Sequence, residues 1–184
     1  MDDQENKILL VLDLDETLIH ASTEPIDKVS IDFRFDEYSI YKRPYLIEFL
    51  HSVQNDFKIG VWSSAGDEYV ANMVANIFPE NYKLEFVWGR SKCTIKRDMS
   101  LDKFYFSKSL KKLKTKGYGL DRILIVDDSP EKANENYGNA IYIKEFKGEP
   151  DDELRKLSLY LQRLKGIQNV RSIEKRGWHS KNEE

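Results

Sequence analysis

The sequence predicts an α/β protein: a three-layer α/β/α sandwich around a central, mainly parallel sheet, carrying a small β-hairpin and a short β insertion but no large cap domain. Two observations carry this reading. Several apolar runs rich in β-formers, Ile8-Leu9-Leu10-Val11-Leu12 and Arg122-Ile123-Leu124-Ile125-Val126 above all, have the continuous hydrophobicity of strands buried on both faces. Between them lie segments whose apolar residues recur at helical spacing, and strands alternating with helices specify a parallel sheet with helical layers. Both runs also end in carboxylates, Asp13-Leu14-Asp15 and Asp127-Asp128. Open α/β sheets bind their ligands at the carboxyl ends of strands, so function is expected there.

The elements follow in order. After the first strand, Val29 to Phe35 and Tyr38 to Tyr41 alternate apolar and polar on either side of Asp36-Glu37, which predicts a β-hairpin with one wet face. Pro44 suits a first helical turn, and Leu46, Ile47, Phe49, Leu50 and Val53 continue the helix. Phe57 to Trp62 is a second strand, ending at Ser63-Ser64-Ala65-Gly66-Asp67. Asp67 and Glu68 then open a helix through Tyr69, Val70, Met73, Val74 and Ile77, which Pro79 stops. Leu84 to Trp88 and Lys92 to Lys96 are read as the small β insertion. Ser107 to Lys116 is expected to be a helix with Lys108 at its start, closed by Gly117 and Gly119. Asn139 to Ile143 forms another strand. The last helix opens on Pro150-Asp151-Asp152-Glu153, acids well placed against the helix dipole, and docks its Leu154, Leu157, Leu161, Leu164 stripe on the core. Residues 1–168 read as a single domain and 169–184 as a polar C-terminal tail, frayed beyond Val170.

Composition narrows the function. A chain of 184 residues holds one domain with a sizeable core, and a net charge of −3 gives no whole-chain case for a nucleic-acid partner. One cysteine, Cys93, excludes an intramolecular disulfide framework and fits a reducing compartment. No apolar stretch approaches the roughly 18 residues of a membrane span. The polar, acidic start is the opposite of a secretory signal, so an intracellular soluble protein, cytoplasmic or nuclear, is expected.

The run Leu12-Asp13-Leu14-Asp15-Glu16-Thr17-Leu18-Ile19-His20, with Ser63 after the second strand, Lys108 further on and Asp127-Asp128-Ser129-Pro130 after a later strand, resembles the motif set of the haloacid-dehalogenase superfamily. Lys42-Arg43-Pro44 and Arg90-Ser91-Lys92-Cys93 make the resemblance more specific, to the phosphatases of the RNA polymerase II C-terminal domain and their small, NLI-interacting-factor-like relatives, over roughly residues 8 to 165. The resemblance implies a haloacid-dehalogenase-like fold and a magnesium-dependent phosphomonoester hydrolase. Asp13 would be the nucleophile that forms an aspartyl-phosphate, and Asp15 the acid that protonates the leaving oxygen and then activates water. Asp13, the Asp15 backbone carbonyl and Asp128 would hold Mg2+. Lys108 and Ser63 would bind the phosphoryl oxygens, Arg90 could reach a substrate phosphate, and Asp127 would orient Lys108. Elementary chemistry agrees: an anionic carboxylate approaches a phosphate dianion only if positive charge offsets the repulsion, and an all-oxygen donor set suits magnesium better than zinc.

Bland readings compete residue by residue. Either acid pair alone could cap a loop or open a turn, and Ser64 stands one residue from Ser63. Glu16 is assigned to the rim, Arg90 is equally readable as a solvated charge, and Lys42-Arg43 as a charged approach to a helix. Lys111, Lys112, Lys114 and Lys116 read as the wet face of a helix. His20, His51 and His179 lack metal-ligand spacing. Without a lid, the site favours a phosphorylated protein or peptide, most simply phosphoserine or phosphothreonine. The alternatives are a small-metabolite phosphatase and a non-catalytic phosphoprotein-binding scaffold of the same fold. The small relatives place an aromatic residue just after the first motif, whereas this chain has Ala21-Ser22-Thr23-Glu24-Pro25, so the polymerase substrate does not follow. Oligomeric state is not legible.

Overall fold

The computed structural model describes residues 7–99 and 102–182, so the acidic start read above lies almost wholly outside the described residues. Strand β1 (Ile8–Leu12) is the centre of a five-stranded sheet and is completely buried. It pairs in parallel with β5 (Phe57–Trp62) on one side and β9 (Ile123–Asp127) on the other. The sheet is completed in parallel by β6 (Phe86–Trp88) beside β5 and β10 (Ala140–Tyr142) beside β9. Parallel pairing aligns the carboxyl ends, so Asp13, Ser63 and Asp127 emerge at one edge.

Alternate residues of the central strands feed two cores, as the period of two requires. Ile8, Leu10 and Leu12 join Ile59, Val61, Leu124 and Val126, covered by α1 (Leu46–Val53), α2 (Asp67–Ile77) and α4 (Glu153–Leu164). The α4 stripe docks there as expected, with Leu154, Leu157, Leu161 and Leu164 all buried. On the other face Leu9, Val11, Ile123 and Ile125 meet Leu110, Leu113 and Ala133, the last from the short α3 (Pro130–Ala133).

Five local expectations are corrected. First, Leu84 to Trp88 is not part of a β insertion: β6 extends the main sheet, because Gly60 lacks the Cβ that would sit 2.5 Å from the Phe86 ring. The insertion is instead an antiparallel ribbon of β7 (Thr94–Asp98) and β8 (Lys103–Ser107). Second, the hairpin is a three-stranded sheet: β2 (Ile19–Ser22) pairs with β4 (Tyr38–Lys42), which pairs with β3 (Phe33–Phe35), so Val29 to Ile31 stay outside any strand. Third, Pro44 precedes the helix rather than opening it, because Tyr45 turns left-handed (φ 63°) before Leu46. Fourth, Ser107 ends β8 and Leu110–Lys116 is a 3-10 segment, with Lys108 in the connection. Its only buried residues, Leu110 and Leu113, are spaced by three, and Gly117 closes it in the left-handed conformation (φ 87°). Fifth, α4 starts at Glu153, later than Pro150, and Asp151 both accepts the Glu153 N–H at 3.1 Å and pairs with Arg43.

Nor is the segment beyond Val170 frayed. Trp178 is 2% exposed, its indole donates to the Tyr142 carbonyl at 2.8 Å, and its ring lies 5.6 Å from that of Tyr160 on α4. Trp178→Ala is therefore expected to cost about 3 kcal/mol or more of folding stability, measured by denaturant unfolding. A change below about 0.5 kcal/mol would mean that the docked segment contributes nothing. Among the described residues no helix is long and apolar enough to cross a membrane.

Candidate active site

Three strand ends and one loop converge on Asp13. Its backbone N–H donates to the Val126 carbonyl (3.1 Å), which fixes its position one residue past β1. One carboxylate oxygen lies 2.6 Å from the Lys108 ammonium, which also donates to Asp127 Oδ2 at 2.7 Å. All three side chains are essentially without solvent contact. Burial alone would lower the affinity of Lys108 for its proton, but the Asp127 and Asp13 carboxylates facing it prevail, and its pKa rises. Lys108 is therefore a fixed positive charge. The second oxygen of Asp127 accepts the Ser129 N–H at 2.9 Å, so both of its oxygens are engaged, and burial pushes its pKa up.

Asp13 differs: its other oxygen, Oδ2, is buried and has no hydrogen-bond partner. A desolvated carboxylate oxygen with no donor is costly unless a cation or a reacting atom completes it. Asp128, half-buried beside it, accepts weak or long hydrogen bonds from Thr17 (3.4 Å) and Ser129 (3.0 Å). Asp13, Asp127 and Asp128 each present an oxygen, all within 4.8 Å of one another. Their residues thus fit a hard divalent cation. Charge balance points the same way, since the cluster with Asp15 sets four carboxylates against two ammonium groups, Lys108 and Lys132.

Asp15 stands two residues on, half-buried at the mouth. Tyr69 donates to its Oδ1 at 2.6 Å, and Ser63 donates to its Oδ2 at 3.2 Å. Burial raises its pKa, opposed by the Tyr69 hydrogen bond; repulsion from Asp13 adds to the rise and the Ser63 hydrogen bond opposes it. Between the two adjacent serines, it is Ser63 that turns inward, 1% exposed, with its hydroxyl also accepting the Ala65 N–H. Glu16 is at the rim, as expected, hydrogen-bonded to His20. Burial, with Asp15 and Asp128 adding repulsion, pushes it up to about 7. Arg90 is exposed; its Nε donates to the Ser64 carbonyl and its guanidinium lies over Phe106. It lines, with Asp15, a cleft of about 400 Å3 whose other walls include Ala21, Phe35, Tyr38 and Tyr69. The aromatic wall that the Ala21–Pro25 stretch lacks is thus supplied by the β3–β4 hairpin and α2.

Two neighbours of the site, Tyr69 and Lys132, were not assigned a role from sequence, and Arg43 was given a weaker one than it has. Tyr69 read only as a helix residue facing the core. Lys132, half-buried in α3, places a cation where the fields of Asp13, Asp127 and Asp128 raise its pKa against the cost of burial. Its position in the first turn after the Asp127-Asp128 pair was the available signal. Arg43, read as a charged helix approach, is 1% exposed and ties the first-motif loop to residues 144–151.

Comparison with known proteins places this geometry in a family. Residues 8–171 match the sequence model described as NLI interacting factor-like phosphatase. Among curated proteins, the chain is 35% identical over 172 residues to "CTD small phosphatase-like protein 2" of Dictyostelium discoideum, covering 90% of this chain but 29% of that protein. It is 29% identical to the human "Carboxy-terminal domain RNA polymerase II polypeptide A small phosphatase 1", covering 91% of this chain and 63% of that one. It is 31% identical to "Putative CTD phosphatase-like protein 355R" of Invertebrate iridescent virus 3, covering 86% and 97%. The chain therefore spans from under a third to under two thirds of the first two relatives. Among solved structures, fission yeast RNA polymerase II CTD phosphatase Fcp1-R271A bound to beryllium fluoride superposes with a TM-score of 0.59 at 17% identity, covering 98% of this chain and 50% of that one. At that identity the likeness is one of fold, and it agrees with the sandwich expected from the sequence. The matched residues, 8–171, begin with β1 and take in Asp13, Asp15, Ser63, Lys108, Asp127 and Asp128, and on that match this chain belongs to the NLI interacting factor-like phosphatase family.

Proposed function

We propose that this chain is a magnesium-dependent phosphomonoester hydrolase that acts on phosphoserine or phosphothreonine in proteins through an aspartyl-phosphate on Asp13. One observation carries the reading. Asp13 has one oxygen locked to a permanently charged lysine and the other buried without a donor, beside a second carboxyl group held by two hydroxyls.

In the proposed reaction, Asp13 attacks phosphorus along the face opposite the ester oxygen. As the phosphorus–oxygen ester bond breaks, Asp15 gives its proton to the departing alkoxide. Water then loses a proton to Asp15 and attacks the acyl phosphate at phosphorus, which frees inorganic phosphate and restores Asp13. Lys108 holds Asp13 in place and offsets the growing negative charge, Asp127 keeps Lys108 aimed, and the Ser63 hydroxyl would turn from Asp15 to donate to a phosphoryl oxygen. Arg90, at the cleft wall, would reach a substrate phosphate. Mg2+, held by Asp13, Asp128 and the Asp15 carbonyl, would supply electrostatic shielding between carboxylate and phosphate.

The protein substrate is supported by architecture and by kinship. The cleft beside Asp15 is open and no inserted segment among the described residues has a core of its own. The named activity of the human relative is on a polypeptide. The test is a steady-state panel of phosphopeptides and phosphorylated metabolites with purified protein and Mg2+. Phosphopeptides should have the highest kcat/KM, and a metabolite preferred by orders of magnitude would overturn the substrate assignment. Chelation should abolish p-nitrophenyl phosphate hydrolysis, and added Mg2+ should restore it. Full activity in chelator would contradict the metal dependence.

A further inference from the structure

We propose that Tyr69 is the positioning residue of the reaction: its hydroxyl sets the orientation of the Asp15 carboxyl group for proton transfer to the leaving oxygen. This rests on the reading of Asp15 as the general acid and goes beyond it by naming what aims that acid.

The geometry is specific. Tyr69 lies in the first turn of α2, six residues after Ser63, and its hydroxyl reaches Asp15 Oδ1 at 2.6 Å. That is at the short end of the range for hydroxyl hydrogen bonds to oxygen. Ser63 takes the other oxygen at 3.2 Å, a longer contact from a hydroxyl that also accepts the Ala65 N–H. With both oxygens bonded, the carboxyl group cannot rotate freely about its Cβ–Cγ bond. Once Ser63 turns to a phosphoryl oxygen, Tyr69 is the contact that still holds the Asp15 carboxyl group.

The tyrosine is itself held. Its ring meets Phe35 edge-on at 5.8 Å and Tyr38 edge-on at 6.4 Å, contacts that position an aromatic ring as well as stabilise it. The mount comes from the β3–β4 hairpin, an element outside the main sheet. A catalytic acid with a misplaced proton loses rate steeply, since efficient transfer needs hydrogen-bond reach to the accepting atom. Packing alone would not place a phenol hydroxyl, as opposed to a bare ring, against this carboxylate.

Tyr69→Phe removes the hydroxyl and keeps the ring. The readout is the dependence of kcat/KM on leaving-group pKa across a series of substituted phenyl phosphates with Mg2+ present. A poor leaving group needs the proton from Asp15, whereas p-nitrophenolate departs nearly unaided. Tyr69→Phe should steepen this dependence, losing roughly tenfold more on phenyl phosphate than on p-nitrophenyl phosphate. An equal loss across the series, or none, would overturn the inference, because a purely packing role affects all esters alike. Asp15→Asn, run on the same series, separates the two levels. If it too fails to steepen the dependence, the general-acid reading falls and the Tyr69 inference with it. If it steepens the dependence and Tyr69→Phe does not, only the role of Tyr69 is refuted.

Discussion

Asp13→Asn is expected to reduce kcat with any phosphomonoester by on the order of 10^4-fold or more, the scale seen when a covalent nucleophile is removed. The carboxamide has the shape of the carboxylate but lacks the electron pair basicity to attack phosphorus. The same change should leave the fold nearly intact. Asp13 shares its lysine with Asp127, 2.7 Å from the ammonium, and an amide oxygen at position 13 can still accept from Lys108. Removing one charge also relieves repulsion from Asp15 and Asp128, each of which has its pKa raised in part by Asp13. Kinetics with p-nitrophenyl phosphate and chemical unfolding of the same preparation make the check. A loss of less than tenfold with an unchanged unfolding midpoint would mean that Asp13 does not attack.

The second large effect is on stability. Arg43→Met should cost about 3–5 kcal/mol, the range for stripping one partner from a buried ion pair. Arg43 grips Asp151 through Nε and Nη2 at 2.7–3.1 Å, and donates to the Thr17 carbonyl at 3.0 Å and the Lys144 carbonyl at 2.7 Å. Its guanidinium also lies 5.3 Å from the centre of the Phe146 ring. Methionine fills much of the volume but answers none of these acceptors. Asp151 keeps 18% of its side-chain exposure, which lets water relieve part of the loss and places the effect toward the lower end. For a domain of this size that corresponds to a fall of roughly 6–20 °C in Tm. Because Thr17 and the Glu16 carbonyl, which accepts the Phe146 N–H at 2.7 Å, belong to the loop after Asp15, activity should fall as well. A variant with unchanged Tm would show the network to be dispensable.

Legibility followed the strength of the local signal. β1, β5 and β9 carry continuous apolar runs, and α2 and α4 carry clean stripes, so the hydrophobic pattern places them and the acids that follow β1 and β9, while the choice of Ser63 over Ser64 needed the folded chain. β2 was hidden because Ile19 to Ser22 is only four residues long and its partner, β4, is nearly twenty residues away. β6 was misassigned because nothing local reveals that Phe86 packs over Gly60. The docking of Trp178 depends on Tyr142 and Tyr160, both distant in sequence, so a polar segment looked loose. The site shows the same division. Acids at strand ends announce themselves, whereas Tyr69, Lys132 and Arg43 act through contacts that only the folded chain creates. A tyrosine on an amphipathic helix, a lysine after a turn and an arginine before a proline each have an ordinary surface or core explanation.

The central claim, that phosphorus becomes bonded to Asp13, is tested most directly by quenching the enzyme during turnover with borohydride. Hydride reduces an acyl phosphate to an alcohol with loss of phosphate, converting the modified aspartate to homoserine, which peptide mass spectrometry can place. The account predicts homoserine at position 13, dependent on both substrate and Mg2+. Steady turnover with an unreduced Asp13, or with the label at Asp15, would contradict it.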